Sequence, residues 1–339
     1  LLPQAITKKV ACTEGASDFF VCLQSIMQAT IYRSTGSWYT ARSTTGEIFQ
    51  ARIKGVLKMD ADITSTNPIA VGDIVDIVPE DGDANAKNAM ITGIAPRRNY
   101  IVRSSPHKKG NAKHIVAANL DQAMLVCTVK EPRTSNGFID RFLVTAAAYH
   151  IPVILVFNKK DIYKSEKEID RFAELAALYD SIGYTVKLVS AATGDGVDEL
   201  AGMMKDKTTL MSGHSGVGKS SLINRLLPGL DLRTKAVSGW SGKGLHTTTY
   251  AEMYDLPDGG QLIDTPGVRE FGIVDIEKTE LSHYFLEMQP YLPLCQFNNC
   301  LHINEPGCAV KAAAEAGEID PDRYISYATI LESMKEETY

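Results

Sequence analysis

Gly213-x4-Gly218-Lys219-Ser220, inside GHSGVGKSS (213–221), has the residue types and spacing of a loop that wraps phosphate. Its glycines let backbone N–H groups turn inward onto phosphate oxygens, and the helix predicted to follow adds its positive end. The candidate contacts are Gly213, His214, Ser215, Gly216, Val217, Gly218, Lys219, Ser220 and Ser221. Lys219 suits the β- and γ-phosphates, and the Ser220 hydroxyl suits Mg²⁺. LIDTPG (262–267) offers Asp264 for the water shell of that Mg²⁺ and the Gly267 N–H for the γ-phosphate.

A second constellation lies about fifty residues upstream, in VILVFNKKDIY (153–163). Asn158-Lys159-x-Asp161 follows an apolar run, where a base-reading loop would sit at the mouth of a buried strand. The Asp161 carboxylate accepts from guanine N1–H and the 2-amino group together. Adenine has an acceptor at N1 and no 2-amino group, so the carboxylate would stay unpaired, at a cost of about 1–3 kcal/mol or more. An ATP-binding loop is therefore the disfavoured reading. Ser190-Ala191, ending the next predicted strand, fits a second base loop in which the Ala191 N–H meets the base oxygen.

Between the phosphate loop and LIDTPG runs SGWSGKGLHTTTY (238–250), whose Gly239, Gly242 and Gly244 predict a pliable loop. A threonine of that loop would cap Mg²⁺; Thr248 is favoured, with Thr247 and Thr249 open. Val268 stands after DTPG, where a glutamine would orient an attacking water, and valine has no group for that task. His246 is the nearest polar candidate, the alternative being a solvent-facing loop residue. A water-positioning group on a segment that must first order implies slow hydrolysis by the isolated protein.

Cys295-x4-Cys300-x-His302-x5-Cys308 gathers three thiols and an imidazole, a closed tetrahedral set suited to one structural Zn²⁺. With four protein ligands no position stays open, which disfavours a catalytic metal. The alternative is a group of unliganded buried cysteines.

These residues need elements to hold them, and 339 residues suffice for two to three domains. Residues 1–27 show neither period nor motif. Over 28–103 short alternating strands separated by turns such as STTGE and PEDGD predict a small OB-type β-barrel, with a generic β-sandwich as the alternative. Residues 104–113 fall in a basic linker: RRNYIVRSSPHKKGNAK (97–113) has six Lys or Arg and no acid, either a solvated connector or a phosphate-contacting patch. Over 114–276 buried strands alternate with helices, implying a parallel sheet covered on both faces, with Ser165 and Glu168 as a capping box. The last unit, 277–339, sets the Cys/His cluster between two helical stretches, TELSHYFLEMQPYL and the run through AVKAAAEAG and YISYATILESMK. A net charge of −6 argues against coating nucleic acid by overall positive charge. Neither a secretory signal nor an apolar run of membrane-spanning length is expected, so the cytoplasm is the expected location and no membrane partner is foreseen.

The order is base loop, second base loop, phosphate loop, threonine loop, DTPG: the usual GTPase order cut and rejoined. GHSGVGKSSLINRLL, GLHTTTYAEMYDLPDGGQLIDTPGVREFG and CQFNNCLHINEPGC closely resemble the RsgA (YjeQ) family of small-ribosomal-subunit biogenesis GTPases, over about residues 30–335. The resemblance implies an OB barrel, a circularly permuted α/β P-loop GTPase domain and a helical zinc-binding domain. It implies GTP and GDP as ligands, binding of the small subunit and its rRNA late in maturation, and hydrolysis stimulated by that subunit. His246 matches the family's catalytic histidine, beside Lys219, and Cys295, Cys300, His302 and Cys308 match its zinc ligands. Residues 1–27 match nothing in the resemblance, and basic end extensions are not found, so RNA contact is expected on the barrel and on Arg97–Lys113. A monomer is expected. The rival reading is a GTP-gated RNA-binding module whose hydrolysis is incidental.

Overall fold

A computed structural model describes residues 26–53, 68–80, 87–104, 113–230, 232, 251–265 and 276–334. His246, Thr247, Thr248, Thr249, Gly267, the PEDGD turn beyond Glu80 and the centre of the basic stretch lie outside the described residues.

The first unit is a closed barrel of β1 (Met27–Ser34), β2 (Tyr39–Ser43), β3 (Ile48–Ile53), β4 (Ile74–Pro79) and β5 (Asn88–Ile94). The pairings run β1-β2-β3-β5-β4 and return to β1, with β3 and β5 parallel and the other pairs antiparallel. Closure removes the sheet edges. Alternation along β2, with Tyr39, Ala41 and Ser43 buried, turns every second residue into the barrel core. That core contains Ile31, Phe49, Val75, Ile77 and Ile91.

Beyond the barrel, β6 (Tyr100–Ser104) and β7 (Lys113–Ala118) pair antiparallel, flanking the centre of the basic stretch. Arg97 is committed internally. Its Nε and Nη2 donate to the two carboxylate oxygens of the buried Asp73 at 2.7 and 2.6 Å, and Nη2 also donates to the Pro68 carbonyl at 2.9 Å. Arg98 pairs with Asp121 at 2.9 Å. A charge run read along the chain overstates the patch, because these two cations face acids distant in sequence.

The central unit alternates β8 (Gln122–Cys127), α1 (Asn136–Ala148), β9 (Val153–Phe157), α2 (Glu166–Ile182), β10 (Thr185–Leu188), α3 (Val197–Met204), β11 (Thr208–Ser212), α4 (Lys219–Leu226), β12 (Glu252–Asp255) and β13 (Gln261–Asp264). Its sheet order is β10-β9-β8-β11-β13-β12, all parallel except β12. β8 and β9 are buried throughout, as a sheet covered on both faces requires. The Ser165/Glu168 capping box opens α2. One bridge, Arg33 to Glu252, joins β1 of the barrel to β12, and Tyr32 Oη donates to Asp255 at 2.7 Å beside it.

In the third unit, α5 (Ala309–Glu315) and α6 (Pro321–Ser333) follow the Cys/His loop. TELSHYFLEMQPYL, expected as a helical stretch, is helical but not α-helical. It folds as two 3₁₀ segments, Leu281–Tyr284 and Gln289–Leu294, the second containing Pro290 and Pro293, which lack the N–H an α-helix needs.

Candidate nucleotide site and metal centre

The parallel strands of the central sheet end on one edge, where such sheets bind ligands. β9 delivers Asn158, β10 leads to Ser190, β11 leads to Gly213, and Asp264 ends β13. Residues scattered along the chain thus meet at one rim.

The phosphate loop turns on Gly216 (φ 88°) and Gly218 (φ 90°), and α4 starts at Lys219 with Gly218 as a cap that has no side chain. The first N–H groups of that helix therefore find no side-chain cap and suit an anion. A Cβ on Gly218 would lie 2.4 Å from Asn158 Nδ2, so glycine is required here by space as well as by dihedral.

Asn158, buried at 1% exposure, is the brace of the site. Its Nδ2 donates to the Val217 carbonyl in the phosphate loop at 2.9 Å, and its Oδ1 accepts the Ala191 N–H at 2.9 Å. One side chain thereby fixes both base loops to the phosphate loop. The Ala191 N–H, expected to face the base oxygen, is engaged by Asn158 in this arrangement.

Asp161 is exposed, and one of its oxygens accepts the Ser190 hydroxyl at 2.5 Å. The Asp161 carboxylate is thereby oriented by Ser190. Lys159 sits at φ 68°, an uncommon conformation for a lysine, and its Nζ donates to the Glu131 carbonyl. Lys219 Nζ donates to Asp264 and, at 2.7 Å, to the Thr265 carbonyl, with both charged side chains nearly buried. Ser220 and Ser221, half-buried, follow on α4, while Ser215 and Gly216 are exposed at the loop.

Three supports had no signature in the sequence. Tyr163 Oη donates to the Asn158 carbonyl at 2.7 Å and accepts the Val129 N–H at 2.9 Å, and burial pushes its phenol up to about 12, so it stays protonated. Arg225 on α4 donates to the Ala192 carbonyl at 2.8 Å and steadies the second base loop. Thr134, in the β8–α1 connection, faces His214 of the phosphate loop at 2.8 Å. Only Tyr163 lies close enough to the base-reading residues for proximity to have suggested it.

In the third unit the ligand atoms of Cys295, Cys300, His302 and Cys308 lie within 4.8 Å of one another. His302 Nδ1 is 3.6 Å from Cys295 Sγ and 3.4 Å from Cys308 Sγ. A tetrahedron with Zn–S of about 2.3 Å and Zn–N of about 2.0–2.1 Å has N···S edges of about 3.5 Å, so these donors fit zinc. Burial, helped by the neighbouring Cys308 and Cys295, pushes the Cys300 thiol up to about 12, so thiolates here need a cation beside them. The loop is held from outside. The Glu305 carboxylate accepts the N–H groups of Leu301, Ile303 and Asn304 at 2.9–3.1 Å, while Tyr324 and Tyr327 of α6 donate to the His302 and Leu301 carbonyls at 2.6 and 2.9 Å.

Against families of known proteins, residues 28–86 match the RsgA N-terminal domain and residues 94–274 match the RsgA GTPase. This chain belongs to the RsgA GTPase family. Its relatives include the small ribosomal subunit biogenesis GTPases RsgA of Flavobacterium psychrophilum and Bacteroides fragilis. The first is 51% identical over 92% of this chain and 94% of its own length. The second is 46% identical over 92% of this chain and 99% of its own. Among solved structures, YjeQ from Thermotoga maritima superposes with a TM-score of 0.71 at 35% identity, over 91% of this chain and 98% of that one. YloQ, described as a circularly permuted GTPase, gives 0.69 at 27% identity, over 96% and 100%. The family explains the order of the loops. This GTPase domain is circularly permuted, and the strands regain one nucleotide edge because sheet order, not chain order, brings the loops together. The barrel, matched by the RsgA N-terminal domain, precedes it and the Cys/His cluster follows it. Among the described residues no helix is long and apolar enough to cross a membrane.

Proposed function

We propose that this protein is a GTP hydrolase that assists late assembly of the small ribosomal subunit, binding its rRNA with GTP and leaving after hydrolysis. The observation that supports it most is the Asn158 bridge, which ties guanine-reading and phosphate-holding loops into one site. The named function of the relatives supports the partner.

In this reading Asp161 reads guanine, with Lys159, Ser190 and Ala191 completing the base pocket. Gly213, His214, Ser215, Gly216, Val217, Gly218, Lys219, Ser220, Ser221 and Gly267 hold the phosphates. Lys219 exchanges its bond to Asp264 for the nucleotide, where its charge stabilises the phosphoryl group in transfer. That exchange frees a nearly buried carboxylate, which suits Asp264, with Ser220 and Thr248, to hold Mg²⁺. Bound Mg²⁺ supplies neutralisation of phosphate charge. His246 orients the attacking water. One structural Zn²⁺ sits on Cys295, Cys300, His302 and Cys308. The domains divide at 28–103, 104–113, 114–276 and 277–339. The protein acts as a cytoplasmic monomer with slow intrinsic turnover that the small subunit stimulates.

The test is GTP turnover with and without purified small subunits. Stimulation is expected; unchanged turnover with saturating subunits overturns the assembly role while leaving GTP hydrolysis standing.

A further inference from the structure

The phosphate loop is tied to the β8–α1 connection by a hydrogen-bond chain. Thr134, 4% exposed, closes the turn after β8: its N–H donates to the Thr128 carbonyl at 2.8 Å, and its Oγ1 accepts the Thr128 N–H at 2.9 Å. The same Oγ1 lies 2.8 Å from His214 Nε2. His214 Nδ1 faces the Ser215 carbonyl at 3.3 Å. A carbonyl only accepts, so Nδ1 carries the ring proton and Nε2 of the neutral ring is the acceptor. The Thr134 hydroxyl therefore donates to His214 while accepting from Thr128. Burial disfavours the charged imidazole and keeps this pattern.

Two apolar contacts complete the clasp. Phe138, in the first turn of α1, meets the His214 ring edge-on at 5.3 Å. Pro132 lies so close to the exposed Gly216 that a Cβ there would meet its Cδ at 3.2 Å. The connection thus touches the phosphate loop at its second and fourth residues, apart from Asn158's grip on Val217.

On the reading that this loop binds GTP, we propose that Thr134 is a positioning residue for the nucleotide. Its hydroxyl holds His214, and through it the phosphate loop, in the curvature that accepts phosphates. A loop without this clasp spends less time in the binding geometry, and apparent affinity falls by that fraction. The chemical step, once nucleotide is seated, is unaffected. This separates positioning from catalysis.

The experiment measures GTP and GDP dissociation constants, KM and kcat for Thr134→Val, Thr134→Ser, His214→Leu and the Thr134→Val/His214→Leu double variant. Valine keeps the shape and removes the hydroxyl, leaving a buried donor and an acceptor unpaired. Expected are about tenfold weaker GTP and GDP binding in parallel and kcat within about twofold. Serine should restore binding, and the double variant should be no worse than either single one. Should Thr134→Val fold poorly, Thr134→Ala carries the same expectation. Unchanged affinity in both single variants, a loss confined to kcat, a serine variant as weak as valine, or additive losses in the double variant each overturn the proposal. Failure of the unmutated chain to bind GTP would instead overturn the functional reading beneath it.

Discussion

Asn158 shows how one buried amide sets the geometry of a site it does not line alone. Its two ends join segments 59 and 33 positions away, at Val217 and Ala191. Asn158→Ala would leave a buried carbonyl and a buried N–H without partners, about 1–3 kcal/mol each. GTP and GDP affinity should fall by about 10- to 100-fold by isothermal titration calorimetry; values within about twofold of the unmutated chain would mean that the loops hold their places without it. Asp161 differs in kind. It is exposed, and on the proposed function it reads the base, so its loss should change guanine preference more than loop order.

At the scale of elements, α2 and the metal loop are held by local devices whose failure can be measured separately. The Glu168 carboxyl is brought down to about 2 by Lys130, with further help from the N–H groups of Ser165 and Lys164. Its folded value lies below its ordinary value of 4.5, so the charged form adds stability that is whole above about 4.5 and drains as pH falls through about 2. Glu168→Gln removes the titration, and the slope of stability against pH should be flatter across that window when denaturant unfolding is followed by circular dichroism. The zinc loop makes a second case. Metal analysis should return about one zinc per chain. A chelator should melt the Cys295–Cys308 region while nucleotide binding persists, because the nucleotide loops hang from the central sheet; loss of both together would show one cooperative unit.

The central and third units are joined through a buried ion pair. Arg323 of α6, 1% exposed, donates to Asp140 of α1 and, through Nε at 2.5 Å, to Glu287, with the Phe285 ring 4.6 Å from its guanidinium. Tyr179 of α2 donates to the same Asp140 at 2.7 Å. Burial works against the arginine's charge, but Asp140 and Glu287 outweigh it and hold the guanidinium protonated. Arg323→Ala would strand the fully buried Asp140 carboxylate at the seam between the central unit and the one that holds the Cys/His cluster. A loss of about 3–5 kcal/mol is expected in urea unfolding, with faster proteolysis between residues 276 and 334. An unchanged midpoint would mean that the apolar contacts of this seam suffice. Because α1 also meets the phosphate loop through Phe138, the nucleotide site and the unit that holds the Cys/His cluster share one rigid element.

Chemistry that rests on spacing within a single loop was legible from the chain alone. The phosphate loop, the Asn158–Asp161 group, the four clustered Cys/His residues and the capping box of α2 are each local, and short spacing already fixes which groups face together. The alternating barrel strands and the buried strands of the central sheet were legible for the same reason, since periodicity is a local property. Tertiary structure alone decided what depends on residues distant in sequence: Asp73 taking Arg97 out of the basic stretch, Thr134 meeting His214, and Asp140 meeting Arg323. No local pattern encodes such a partner, because the free energy of each contact exists only once the sheet order has brought the two segments together.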